Sequence, residues 1–476
     1  MKKLLLEISK KGLYLGPFLF VLTLIMPTNM SPEAQRFLAV FLWVVSQWLF
    51  TYVPLHITGI FGVTASIILG VDTANNALAP FANPIIFLFL GGFLMAKALE
   101  NLRFDRKISL SILALPWVGA NLKRTIFAIY ALTAFFSMWV SNTATTAMMI
   151  PIVIGILKSL DIKDKELRSH IILGTAYAAT IGGLGTPIGS PPNMIAIGFL
   201  NKLAGINFSF LSWFFMALPL VVVLLFILFK YSTRHITEEE NRCTLDHVED
   251  QNAFFGDLNR HEISVMIIFA LAIFFWFSPS IVELLIGSDH EITKFIKARF
   301  NPGVVSIFFA SMLFVLPFHE KNKILGNSDI KEIDWGSLLL FGSGLSLGGM
   351  LFKTGLANDF GSFLVNNFAG GSMSIFIIMT IFFTVFMTEV SSNTASANIL
   401  VPIIIAASKE SNISPLLPAI AVAISCNLAF MLPVATPPNA IAYGSGEITL
   451  GKMVKVGFWM NVISILVLSI IFSILI

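Results

Sequence analysis

Thirteen apolar segments run the length of the chain, at about 13–27, 35–55, 57–71, 84–100, 126–157, 170–200, 208–231, 263–286, 302–317, 335–356, 372–408, 415–445 and 451–476. A bilayer core of about 30 Å takes roughly 20 apolar residues per crossing helix. Segments 126–157 and 372–408 are too long for one crossing, and each carries a polar Ser-Asn-Thr triplet near its middle. In 126–157 the triplet leaves arms of roughly 14 residues, about 21 Å of helix, which do not reach across. Both segments are therefore expected to be re-entrant helical hairpins with the triplet at the tip. Backbone that leaves the helix at that depth is tolerated only when buried in protein or lining a cavity.

Setting the hairpins aside leaves eleven spans. The first stands alone and the other ten divide into two fives, so the second set must enter the membrane with the opposite orientation, the inverted-repeat plan of many secondary transporters. The expected fold is an all-α polytopic membrane protein: about eleven transmembrane helices, two re-entrant hairpins, inverted repeats and helices broken at the site. Its divisions are an N-terminal segment with the first helix (1–33), repeat 1 (34–231, with hairpin 126–157), a cytoplasmic linker (232–262) and repeat 2 (263–476, with hairpin 372–408). With the N-terminus inside, the cytoplasmic side collects Lys97, Arg103, Arg106, Lys107, Lys123, Arg124, Lys158, Lys163, Lys165, Arg168, Lys452 and Lys455. The outside receives Arg36, Lys202, Lys294, Lys297, Arg299, Lys353 and Lys409. The majority inside satisfies the positive-inside rule, although the 287–301 loop runs against it.

Composition agrees with a membrane protein. Hydrophobic residues make up 56%, charged ones 12%, and mean hydropathy is +0.85, against about 25% charge in soluble domains. The net charge of +3 belongs to loop asymmetry, not to a nucleic-acid surface. Cys243 lies in a charged loop and Cys426 in an apolar segment, which argues against a disulfide framework or zinc site. The first apolar stretch follows four lysines but no small-residue cleavage site follows it, so it is expected to remain as a helix. The seven histidines form no i,i+4 pair, and there is no phosphate-binding Gly-x4-Gly-Lys-Ser/Thr sequence. A membrane metalloprotease lacks its ligands and an ATP-driven pump its nucleotide loop.

The polar islands carry the chemistry. Shifting the chain by 251 positions places Ser141, Asn142, Thr143 and Pro151 on Ser392, Asn393, Thr394 and Pro402, and Ser137 on Thr388. Downstream of each copy lies a second island, Gly189-Ser190-Pro191-Pro192-Asn193 and Ala435-Thr436-Pro437-Pro438-Asn439. Ser, Thr and Asn favour helix N-caps and Pro the first helical position. Asn142-Thr143 and Asn393-Thr394 would open the second arm of each hairpin, and Ser190 and Thr436 the second half of a broken span. Four helix N-termini would then meet in mid-membrane, each worth about half a positive charge, enough to face a dianion without Lys or Arg at the tips. The same breaks free carbonyls that, with hydroxyls and amide oxygens, suit an alkali cation. One cage would use Ser137, Ser141, Asn142 and the backbone at Gly189; its mirror would use Thr388, Ser391, Asn393 and the backbone at Ala435. Polar residues in membrane helices also simply bond neighbouring helices, an account that suits one triplet but not two triplets and two Pro-Pro-Asn islands in one order. Glu389 has Met138 as its counterpart and breaks the symmetry. It is either a functional intramembrane carboxylate or a satisfied structural one, the latter being the simpler reading. Trp139 reads as packing. The segments Leu90-Gly-Gly-Phe93 and Phe341–Gly349 read as close helix contacts.

These doubled motifs resemble the divalent anion:sodium symporter family over nearly the whole chain. The resemblance implies a multi-pass protein of the plasma membrane (the inner membrane in a bacterium) that is not an enzyme, acting as a homodimer in the lipid bilayer by an elevator motion. It implies that Asn142, Thr143, Asn393, Thr394, Ser190 and Thr436 contact substrate carboxylates, that Pro191 and Pro437 line the pocket, and that two co-transported sodium ions occupy the cages. A sodium-coupled symporter for succinate, malate or fumarate is expected. A sodium-independent exchanger, a citrate or sulfate carrier and a passive anion channel are the alternatives.

Overall fold

The computed structural model describes residues 2–50, 53–119, 121–234, 236–238, 241, 258–316, 323–364 and 372–475. Most of the expected linker 232–262, including Cys243, Glu239 and Glu240, lies outside them. Helix is the regular secondary structure of the described residues, with no strand among them. Each triplet does break its segment in two. Helix Leu122–Ser137 turns at 138–141 into helix Asn142–Ser159, and helix Met373–Val390 turns at Ser391 and Ser392 into helix Asn393–Glu410. These arms run 16 to 18 residues, longer than expected from the apolar pattern because polar ends such as Leu122-Lys123-Arg124-Thr125 continue the helix at about 24–27 Å.

The two Pro-Pro islands also interrupt helices. Helix Lys165–Gly182 gives way to a short 3-10 turn, Pro187–Gly189, before helix Pro191–Ala204. Helix Leu416–Asn427 is followed by irregular backbone and then helix Pro437–Gly444. Other expected spans are shorter than the apolar pattern, notably Leu55–Ile68 after Pro54 and Pro302–Met312. Five helices among the described residues are long and apolar enough to cross a bilayer unaided. Proline and the polar islands divide the rest, and neighbouring helices satisfy the freed backbone. Helices Phe104–Leu113 and Leu356–Leu364, one before each hairpin, were hidden by their polar residues.

The repeats are interlaced. Helix Ala74–Leu78 leads into Pro84–Asn101, which packs on Pro302–Met312 of the other repeat; reciprocally, Trp335–Lys353 packs on Leu55–Ile68. Glycine permits both contacts: a Cβ on Gly91 would lie 2.5 Å from Ser306, and one on Gly59 2.7 Å from Ser343. Nearer the centre, Pro191–Ala204 packs on the hairpin arm Asn393–Glu410, and Pro437–Gly444 on the arm Asn142–Ser159. Each hairpin tip therefore meets the broken helix of the opposite repeat.

Candidate functional site

Because the tips and the Pro-Pro islands belong to interlaced repeats, all four reach one cavity of about 940 Å³. Ser141, Asn142, Thr143, Gly189, Ser190 and Pro191 line it from repeat 1. Ser391, Asn393, Thr394, Ala435, Thr436 and Pro437 line it from repeat 2. Ser137 and Thr388 lie fully buried just behind the tips. The arms opening at Asn142 and Asn393 have Ser141 and Ser392 at their caps, and neither side chain bonds the helix. Their first N–H groups are thus free of side-chain caps and carry the positive end of the helix dipole toward the cavity.

Behind each tip sits a cluster of oxygens. The Ser137 hydroxyl donates to Asn142 Oδ1, and the Asn142 amide packs against Gly183, where an added Cβ would fall 2.5 Å from Oδ1. Gly189 is pressed equally close, since its Cβ would meet the Gly183 carbonyl at 2.6 Å. In repeat 2, Thr388 Oγ1 lies 2.7 Å from Asn393 Oδ1 and 2.8 Å from the Cys426 carbonyl. One hydroxyl proton faces two acceptors there, leaving a surplus of lone pairs that a hard cation suits. Ser391 accepts from the Ser396 hydroxyl at 3.2 Å.

Residues 428–436 and 183–189 are held by side chains whose roles the sequence did not disclose. Asn193 Nδ2 donates to the carbonyls of Gly183 (2.8 Å) and Thr186 (2.9 Å), and Asn439 Nδ2 to those of Ala429 and Leu432, both at 3.0 Å. The closing Asn of each Pro-Pro-Asn island is thus a brace for the irregular backbone before its helix. Glu389 is likewise satisfied: Oε1 accepts from the Phe430 (2.7 Å) and Met431 (2.9 Å) amides and from Asn461 Nδ2 (2.7 Å), and Oε2 from the Leu432 amide (3.2 Å). Repeat 1 does this work differently, with the Thr186 hydroxyl donating to the Met138 carbonyl and Trp213 Nε1 to the Leu184 carbonyl at 2.9 Å. Trp139 packs edge-on against Phe269.

Residues 8–475 match the family described as the sodium:sulfate symporter transmembrane region. The chain is 35% identical over 475 residues to the sodium-dependent dicarboxylate transporter SdcS of Staphylococcus saprophyticus, covering 96% of this chain and 89% of that one. It is 34% identical, with the same coverage, to SdcS of Staphylococcus aureus. The chain belongs to the sodium:sulfate symporter family. That is the membrane-transporter family its doubled motifs resemble. Two solved structures share the fold of this family member at 13% identity and a TM-score of 0.57. They are the YdaH transporter of Alcanivorax borkumensis, covering 93% of this chain and 98% of its own, and MtrF of Neisseria gonorrhoeae, covering 96% and 97%.

Two features of this family member's cavity are asymmetric. Thr436 Oγ1 accepts from the Asn439 backbone amide at 3.3 Å, which leaves its proton uncommitted. Its counterpart Ser190 instead gives its proton to Asn427 Oδ1. The basic residue among the described lining is Lys97, paired with Glu332 at 2.8 Å and Glu100 at 3.4 Å. No basic side chain lines the tips.

Proposed function

We propose that this protein is a secondary active, sodium-coupled symporter of small dicarboxylates of the succinate, malate and fumarate class. One observation carries the reading: two uncapped hairpin-arm N-termini share a cavity without a cationic side chain at the tips, each backed by an oxygen-rich cluster. The N–H groups at Asn142-Thr143 and Asn393-Thr394, the amide nitrogens of those asparagines and the Thr436 hydroxyl are the donors for the two carboxylates. Pro191 and Pro437 start helices at the wall and give the carbon chain an apolar surface. One sodium ion takes Ser137, Ser141, Asn142 and the backbone at Gly189; the other takes Thr388, Ser391, Asn393 and the backbone at Ala435. Each cation orders its tip and adds positive field for the dianion, so cation and anion binding are reciprocally coupled. The names of the SdcS relatives support both sodium and dicarboxylate as partners.

The protein works in the plasma membrane with its N-terminus cytoplasmic, as a homodimer. Alternating access is an elevator motion of the hairpins and broken helices together, a reading their mutual contacts support.

Purified protein in liposomes should accumulate labelled succinate under an inward sodium gradient. Equal accumulation with potassium in place of sodium would leave a sodium-independent exchanger, and uptake no faster for succinate than for citrate or sulfate would shift the substrate class. Asn142→Ala and Asn393→Ala should each lower uptake at least about a hundredfold, the scale of lost oriented donors, while the protein still elutes as a folded species. Wild-type rates in both would make the tips structural.

A further inference from the structure

Ser190 faces the cavity, but its proton points away from it. The direction follows from acceptors that cannot reverse. Asn193 Nδ2 lies against two carbonyls, and carbonyls only accept, so Asn193 must turn its Oδ1 toward Asn427. Asn427 then donates through Nδ2 to Asn193 Oδ1 at 3.1 Å and to the Ala423 carbonyl at 2.9 Å. Its own Oδ1 is left as the acceptor for the Ser190 hydroxyl. Both asparagines are completely buried. Toward the cavity Ser190 therefore offers lone pairs, the reverse of Thr436.

The chain of contacts runs on at both ends. Beyond Asn193 lies Gly183, the residue against which the Asn142 amide packs. Beside Asn427 lies Cys426, whose carbonyl meets Thr388 Oγ1, which in turn meets Asn393 Oδ1. A continuous buried path thus links the oxygen cluster of repeat 1 to that of repeat 2, with Ser190 as its branch to the cavity. Its central pair, Asn427 and Asn193, sits on helix Leu416–Asn427 of repeat 2 and helix Pro191–Ala204 of repeat 1, so neither repeat holds it alone.

We propose that Asn427 is a positioning residue that couples the two cation clusters and fixes Ser190 as an acceptor toward the cavity. An ion in the first cluster holds Asn142 and the 183–189 backbone in place. That backbone orients the Asn193 amide, Asn193 orients Asn427, and Asn427 sets the end of helix Leu416–Asn427, where the Cys426 carbonyl completes the second cluster. Filling either cluster readies the other, and the effect is equal in both directions. The inference rests on the sodium-coupled reading above.

The test is a sodium titration of succinate uptake in liposomes, paired with sodium-dependent thermal protection of the detergent-purified protein. Wild type should show a sigmoidal curve. Asn427→Leu keeps the branched shape and removes the network; it should weaken apparent sodium affinity by about fivefold, the low end of usual coupling factors, and bring the curve toward a simple hyperbola. Asn427→Asp sets an acceptor against Asn193 Oδ1 and the Ala423 carbonyl and should be affected more. Because Asn427→Leu also frees the Ser190 proton for the cavity, the readout is the sodium dependence, with succinate held saturating throughout. If Asn427→Leu does not fold, Asn427→Ala, which removes both the donor to Asn193 and the acceptor for Ser190, carries the same test. A hyperbolic wild-type curve, or variant curves that superimpose on a sigmoidal wild type in both assays, overturns the coupling. Wild-type uptake that ignores sodium overturns instead the reading on which it rests.

Discussion

Glu389 shows how a residue's role turns on partners that lie far along the chain. Alone it is a carboxylate in an apolar run; in the fold it collects the amides of Phe430, Met431 and Leu432 and the Asn461 side chain. Every partner is a donor, so the carboxylate serves as an anchor for the backbone leading to Ala435 and Thr436. Glu389→Leu would strand three backbone N–H groups in the interior, at about 1–3 kcal/mol for each one left unpaired. Thermal unfolding in detergent should show a large drop for Glu389→Leu and a smaller one for Glu389→Gln, which keeps one acceptor oxygen. Equal midpoints for all three proteins would remove the anchor role. The doubled Ser-Asn-Thr triplets were legible because polar residues stand out in an apolar run. Asn427 was not, because one asparagine in a helix shows nothing of the two side chains that meet it from another repeat.

At the scale of elements, irregular backbone in mid-membrane is kept in place by side chains from neighbouring helices. The Pro-Pro-Asn islands were read as helix openings, and the helices do begin at Pro191 and Pro437. Their Asn residues close the preceding loop onto the helix, a role no spacing rule discloses. A second tie lies outside the site. Lys107, on helix Phe104–Leu113, meets Glu262 at 3.0 Å with both side chains more than nine-tenths buried. Glu262 also completes the capping box of helix Arg260–Ile286, accepting from the Asn259 amide at 2.7 Å. Removing one member of such a buried pair strands the other charge, at about 3–5 kcal/mol. Lys107→Met should therefore lower the thermal midpoint, and Lys107→Met with Glu262→Gln should recover much of it. A double variant no more stable than the single would count against the pairing.

At the scale of the molecule, ties between repeats also reach the membrane surface. Arg168, at the start of helix Lys165–Gly182, bonds Glu447 in the turn before helix Leu450–Leu475. Its guanidinium hydrogen bond holds the Glu447 carboxyl below the ordinary 4.5, while burial pushes the other way. A carboxyl lowered in the folded state adds stability at neutral pH and loses it as pH falls through the lowered value. As pH falls from about 4.5 through that lowered value, the wild-type midpoint should fall further than that of Glu447→Gln. Parallel declines would show that the pair contributes nothing, as exposed pairs often do.

The chain's own pattern sufficed for the class of the fold and for the polar islands. Apolar length is set by the bilayer, and a polar triplet inside a stretch too long for one crossing forces a turn whatever its neighbours are. Tertiary structure decided which islands face each other, which hydroxyl keeps its proton and which carboxylate serves as an anchor. Those outcomes depend on hydrogen-bond partners brought together across the repeats, as for Ser190 and Asn427, or across loops within one, as for Glu389 and the amides of Phe430, Met431 and Leu432, and such contacts leave no periodicity along the sequence.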